Sequence, residues 1–240
     1  MNCQYCFLRS IKVADKKDVF SYFVKLLRNS RNPAFAPHAI SFTGPGKPLR
    51  SMGRLGAYMR FLKRIEKKSR KRPWYYLYTN GIMANNKRLL QLRDLGFDEI
   101  RFHLGASHFS EEVYGNLKRA IKRFKAVIVE TPSWPPHRKK LFEMLPRIDD
   151  LGVKHLNIGE IEITERNLNR INAIMPDAQI YQCFAIHLDD GGLVYDIMEE
   201  VIKKRYSFSV LDCNCFVKSI QRSPGKNVCH EKAPGLWATY

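Results

Sequence analysis

Short runs of apolar and β-branched residues alternate along the chain with longer stretches whose apolar positions recur every three or four residues. The short runs predict strands at Ala39–Thr43, Tyr75–Thr79, Glu99–Leu104, Ala126–Glu130, His155–Ile158 and Phe208–Leu211. The longer stretches predict helices. Asp15 caps one carrying Phe20, Phe23, Leu26 and Leu27, and Leu55, Tyr58, Met59, Leu62 and Ile65 line the next. Ser110 caps one carrying Tyr114, Leu117, Ile121 and Phe124. Leu141, Met144, Leu145 and Ile148 mark a further helix, and Leu193, Ile197, Met198 and Val201 the last. Strand–helix alternation of this kind builds parallel βαβ units.

A weak internal repeat agrees. Asp94-Leu95-Gly96-Phe97 leads into Ile100-Arg101-Phe102, and 56 residues later Asp150-Leu151-Gly152-Val153 leads into Leu156-Asn157-Ile158. In each copy a helix ends at a glycine suited to the left-handed conformation, and a strand follows. The spacing fits two βα units of roughly 30 residues each, and a regular run of units favours a barrel or partial barrel over a doubly wound sheet. Gly44–Pro48, Thr131–Pro136 and Ser223–Gly225 read as loops, the first two directly after strands, where barrel enzymes place their chemistry. No linker divides residues 1–240, which read as one domain with 207–240 as a C-terminal extension.

Two cysteines open the chain as Cys3-Gln4-Tyr5-Cys6. This spacing is that of a metal site, an iron–sulfur site or a redox pair; the long βα series argues against a thioredoxin-like pair, which belongs to a much smaller fold. Two further segments stand at strand ends: Phe42-Thr43-Gly44-Pro45-Gly46-Lys47-Pro48-Leu49, and Tyr78-Thr79-Asn80-Gly81.

In this ordered combination the chain resembles the radical S-adenosylmethionine (SAM) enzymes, whose cluster motif is C-x-x-x-C-x-aromatic-C. The resemblance implies an α/β fold, a partial (β/α)6 TIM-like barrel, with a 4Fe–4S cluster and SAM at its strand tops. Cys3 and Cys6 match the last two cysteines and would ligate iron. Tyr5 matches the aromatic that lies against adenine. The first cysteine would fall four positions before Cys3, so the expectation is a chain whose start, with the first barrel strand, is cut or mis-assigned. Gly44 and Gly46 match the glycine-rich strand end that approaches the SAM amino group, with Lys47 where the family has an acid; a cation cannot accept a hydrogen bond from an ammonium group. Thr79, Asn80 and Gly81 match the turn near the SAM sugar. Glu130–Pro135 resembles the proline-spaced strand end of pyruvate formate-lyase activating enzymes. Asn157–Glu162 and His187–Gly192 resemble an uncharacterised, largely archaeal branch related to them.

The implied activity is cleavage of SAM by the reduced cluster to methionine and a 5′-deoxyadenosyl radical. That radical would abstract hydrogen from an unknown substrate, a protein or an RNA, with ferredoxin or flavodoxin as electron donor.

Other residues leave alternatives open. Cys213, Cys215, Cys229 and His230 could bind zinc or a further cluster, or be buried and loop thiols, whereas Cys183 reads as a core residue. The alternation of Ile100, Phe102 and Leu104 places Arg101 and His103 on the opposite face, which in a barrel is its polar interior or a structural site. Glu130 and Glu160 are equally open as SAM or substrate contacts.

Composition adds one strong feature. Apolar residues at 45% support a real core, and no run approaches the roughly 20 apolar residues of a membrane-spanning helix. Without a basic-then-apolar leader the chain reads as intracellular and cytoplasmic. The charge, however, is +18, from 41 Lys and Arg against 23 Asp and Glu, with a pI near 9.8. Such a balance favours polyanionic partners, or else a solubilising surface. Eight of the cations lie in Arg60–Arg72 and five in Lys118–Lys125. The rival reading is therefore a basic nucleic-acid-binding protein with structural zinc and no radical chemistry.

Overall fold

The computed structural model describes residues 5–6, 19, 21–22, 24–25, 38–43, 48–67, 72–182 and 185–214. Cys3, Gly44, Gly46, Lys47, Cys183, Cys215, Cys229 and His230 lie outside them, as do Phe20, Phe23, Leu26 and Leu27 of the first expected helix. Residues 19, 21, 22, 24 and 25 are helical.

All six expected strands form. They are β1 (Ala39–Phe42), β2 (Trp74–Thr79), β3 (Glu99–Phe102), β4 (Ala126–Pro132), β5 (His155–Gly159) and, last in the chain, β9 (Ser209–Asp212). They make one sheet in the order β1-β2-β3-β4-β5-β9, parallel at every pairing. A doubly wound sheet would reverse its strand order at a switch point. Here each strand lies beside the next in sequence, with β9 following β5. The fold is a partial TIM-like barrel.

The crossover helices are α1 (Met52–Glu66), α2 (Asn86–Leu95), α3 (Glu111–Ile121) and α4 (Arg138–Asp150). Their apolar stripes meet the outer face of the sheet: Leu55, Met59, Leu92, Leu117, Met144 and Ile148 share a core with Tyr75, Leu77, Ile100, Phe102 and Val129. The period of two decides the other face. Trp74, Tyr76 and Tyr78 alternate with the buried Tyr75, Leu77 and Thr79 and so line the inside of the barrel. Both repeat glycines are left-handed, Gly96 at φ 94° and Gly152 at φ 78°.

Three details depart from expectation. Strand β3 stops at Phe102, because the chain turns into a single 3-10 turn at Gly105–Ser107. Strand β4 runs on through Pro132, into what reads as loop; Thr131 and Pro132 keep pairing with Ile158 and Gly159. Between β5 and β9 lies an unexpected layer: β6 (Glu162–Ile163), α5 (Glu165–Ile174), β7 (Ile180–Gln182) and β8 (Ile186–Leu188), followed by α6 (Leu193–Lys204). Its strands form a small antiparallel sheet in the order β6-β8-β7. It has its own core of Ile161, Ile163, Ile171 and Leu188, joined by Tyr5 and Trp134.

Candidate functional site

The Tyr5–Cys6 segment sits at the C-terminal ends of β3 and β4. The Tyr5 ring lies nearly parallel to His103, just past β3, with centroids 6.1 Å apart and 13° between planes. Trp134, just past β4, closes on it at 5.7 Å, and His137 meets it edge-on at 6.2 Å. Tyr5 is 5% exposed. Its hydroxyl points at Gly105, where any Cβ would collide with that oxygen and come within 2.9 Å of Thr131 Oγ1. Glycine is required there for close approach. Thr131 Oγ1 and Trp134 Nε1 are buried beside this seat with no hydrogen-bond partner among the described residues. Cys6 is half-buried against the small core.

The Thr79-Asn80-Gly81 turn ends β2 on the same side. Gly81 N–H donates to Thr79 Oγ1 at 3.1 Å, and the Asn116 amide donates to Gly81 O at 3.0 Å. Gly81 is at φ 76°, with Val113 and Phe102 where a side chain would be. The turn is tied to the Tyr5 seat through one bond, His103 N–H to Thr79 O at 2.8 Å. Sequence motifs some 75 residues apart are thus brought to one end of the sheet.

His103 is held neutral. Burial, with a lesser push from His137, brings its pKa down to about 4. Its Nδ1 accepts the Ala106 N–H at 3.1 Å, which fixes the proton on Nε2. His137 is likewise lowered to about 4, by burial first and then by Lys140 and His108.

Below this end the barrel interior is polar. Arg101 Nε donates to Glu99 at 2.5 Å, its Nη1 donates to Tyr78 Oη at 3.0 Å and lies 3.5 Å from Glu130, and its guanidinium stands 4.3 Å from the Tyr76 ring centre. Burial disfavours the Arg101 charge, but Tyr78, Glu99 and Glu130 outweigh it and raise its pKa. Glu130 therefore faces Arg101 inside the barrel. Glu160, after β5, meets a different group: the Tyr181 hydroxyl donates to it, and His187 Nδ1 lies 3.6 Å from its other oxygen. Cys213, after β9, packs beside Gly159.

Asn167 is the residue that motif reading missed. It is buried on α5, and its side-chain amide donates to the carbonyls of Tyr5 and Glu162 while its oxygen accepts the Thr164 N–H. The signal was a polar capping pair, Thr164 and Asn167, at the head of a helix.

Among solved structures this chain is similar to SuiB of Streptococcus suis. Against SuiB bound to S-adenosylmethionine the TM-score is 0.58 at 11% identity, covering 88% of this chain and 47% of that one. Against another SuiB structure it is 0.60 at 11% identity, covering 94% and 49%. The likeness is one of fold. The chain spans about half the length of SuiB. No family model matches the sequence, and no curated protein matches it.

The fit to the implied groups differs between them. Cys3 and Cys6 bring two of the three thiolates that the cluster motif uses, and among the described residues no group of three or more His, Cys, Asp or Glu is arranged to hold a metal. The donor set within these residues does not complete a cluster site. For SAM the fit is closer, since the buried Thr131 Oγ1 and Trp134 Nε1, which have no hydrogen-bond partner among the described residues, and the rigid turn at Gly81 share one end of the barrel, although the space at Gly105 is filled by the Tyr5 hydroxyl. Among the described residues no helix is long and apolar enough to cross a membrane.

Proposed function

We propose that this chain is the SAM-binding barrel of a radical SAM enzyme acting by hydrogen abstraction, related to the pyruvate formate-lyase activating type. One observation carries the reading: the aromatic of the C-x-x-C segment and the Thr79-Asn80-Gly81 turn stand at the same end of a parallel partial barrel, one hydrogen bond apart through His103. Support also comes from SuiB, whose structure of the same fold holds S-adenosylmethionine. In this reading Cys3 and Cys6 are iron ligands. Tyr5 orders the loop and the adenine side of the site, Gly44 and Gly46 approach the amino group, and Thr79, Asn80 and Gly81 face the sugar. A neutral His103 offers its Nε2–H as a donor without adding charge near a sulfonium. Glu130 and Glu160 serve the barrel and the small sheet before any substrate. The partners it implies are a one-electron donor of the ferredoxin or flavodoxin class and an unidentified substrate.

The direct test is equilibrium dialysis of the chain against labelled SAM. Binding is expected, weakened severalfold by Asn80→Ala. It is strengthened at least threefold by Lys47→Glu, because half of a roughly 1.5 kcal/mol charge-assisted bond to the ammonium is already that large. No binding by a folded chain would overturn the reading. Metal analysis after anaerobic purification addresses the rival: zinc bound by the chain, without SAM binding, would overturn the proposal in favour of a structural zinc protein.

A further inference from the structure

We infer that the opposite end of the barrel binds the phosphate backbone of a nucleic-acid duplex, through a basic rim where α1–α3 end and β2–β4 begin. This inference is independent of the SAM site. In a parallel βαβ series every crossover helix ends beside the start of the next strand, so the cations at the ends of these helices gather on one edge. Lys63, Arg64 and Lys67 end α1, and all three are exposed. Lys63 reaches Gly96 at the end of α2, where Arg72 also arrives, donating to Gly96 O at 2.6 Å. Lys122 follows α3.

The anions of this edge are already used. Asp98 is 2% exposed and is held between Arg72 and Lys125, each at 2.6 Å. Burial would raise its pKa, but Lys125, the Tyr75 N–H and Arg72 bring it below the usual range. Glu66 lies 3.6 Å from Arg72, and Asp94 pairs with Arg93 next to it in the chain. Lys63, Arg64, Lys67 and Lys122 form no ion pair among the described residues. Cations at helix C-termini can be explained by the helix dipole, which attracts them. That effect holds Arg72 on the Gly96 carbonyl and also favours Lys63, Arg64 and Lys122 in or beside their last turns, but it pairs none of them with an anion, so their exposed charges remain open to phosphate.

The chemistry of the edge selects the partner. None of the exposed large apolar side chains of the described residues lies on α1–α3, so the surface lacks the apolar wedge of a membrane-binding face. It also lacks exposed aromatic platforms for unstacked bases, which single strands use. An acidic electron donor would gain nothing by docking there, the height of the sheet away from Tyr5 and Cys6. Spaced point charges without base-reading groups fit the backbone of a duplex, bound by shape and charge rather than sequence.

The test is fluorescence anisotropy of the full 240-residue chain with a labelled RNA duplex of about 20 base pairs, over a series of salt concentrations. Each phosphate neutralised contributes about −0.9 to the slope of log K against log salt. The parent is expected to give a slope of about −3 or steeper; a slope shallower than about −1 overturns the proposal without any variant. The triple variant Arg64→Gln, Lys67→Gln, Lys122→Gln is expected to flatten the slope by about 2 to 3 and to weaken binding at least tenfold near 0.1 M salt. A control of equal charge at the opposite ends of the helices, Lys87→Gln, Lys139→Gln, Lys140→Gln at the starts of α2 and α4, is expected to leave the slope within about 1 of the parent. Equal loss in both variants would assign binding to net charge and overturn the rim. Binding to phosphatidylcholine vesicles carrying phosphatidylserine, with no binding to the duplex, would overturn it in favour of a membrane.

Discussion

The side-chain amide of Asn167 donates to the backbone carbonyl of Tyr5 at 3.2 Å, joining residues 162 positions apart. The same amide donates to Glu162 O at 2.8 Å, and its oxygen accepts the Thr164 N–H at 2.7 Å. One buried side chain thus caps α5, ties β6 and seats the C-x-x-C segment. Asn167→Ala would remove three hydrogen bonds, to the carbonyls of Tyr5 and Glu162 and from the Thr164 N–H, each worth about 0.5–1.5 kcal/mol net. We expect a loss of about 2–3 kcal/mol in urea unfolding and a matching fall in SAM affinity. An unchanged urea midpoint would mean that Tyr5 is held by its ring contacts alone.

Two left-handed glycines should respond differently to the same change. At Gly81 an added Cβ meets Val113 Cγ1 at 2.5 Å and Phe102 Cδ1 at 2.8 Å; at Gly152 nothing lies within 4 Å. Gly152→Ala carries only the conformational cost of about 1–2 kcal/mol. Gly81→Ala adds overpacking of about 1–3 kcal/mol to it. Denaturant unfolding of the two variants should therefore differ by at least about 1 kcal/mol, and equal losses would show that the Thr79-Asn80-Gly81 turn yields easily.

These two glycines also show what was legible in the sequence. Helix-ending glycines and six strands with a buried outer face repeat a local pattern often enough to be read, and so does the barrel they build. The small sheet does not: β6 has two residues and β7 and β8 three each, too few for a period of two to show. Helix α5 buries only Asn167 and Ile171 of its own residues, so its stripe is faint. The motif residues Tyr5, Cys6, Thr79, Asn80 and Gly81 could be named because glycine and cysteine spacing is local. The partners His103, Trp134, His137 and Asn167 could not be joined to them, because only the strand order brings those segments together.

The polar barrel interior gives a third prediction. Glu99 is 6% exposed and depends on Arg101 and Trp74, whose indole N–H donates to it at 2.9 Å. Arg101→Met strands that carboxylate and should cost about 3–5 kcal/mol, most of it the uncompensated buried charge. The exposed pair Arg138–Asp196, at 2.8 Å, provides the contrast: Asp196→Ala should change stability by less than about 1 kcal/mol. Thermal or urea unfolding of both variants decides it. A small loss for Arg101→Met would show that the Trp74 N–H and entering water suffice for the Glu99 carboxylate.

Acid should loosen the Tyr5 seat well before it unfolds the carboxylate network. His103 is held to about 4 in the folded chain, against about 6.5 for an unperturbed imidazole. Between those values the unfolded chain binds a proton that the folded chain refuses, so stability is complete above pH 6.5, falls as the pH drops toward 4 and levels below it. From pH 7 to 5 His103 alone accounts for about 2 kcal/mol. His137, also lowered to about 4 but more open to solvent, adds in the same direction with a smaller share. Urea midpoints of the parent at pH 7, 6 and 5 should decline accordingly. In His103→Asn the amide oxygen can keep the bond from Ala106 N–H while the titrating ring is gone, so the decline should shrink by more than half although the variant starts lower at pH 7. An equally steep profile in that variant would place the acid sensitivity elsewhere, and His103 would then be accessible enough to water to take up a proton in the folded chain.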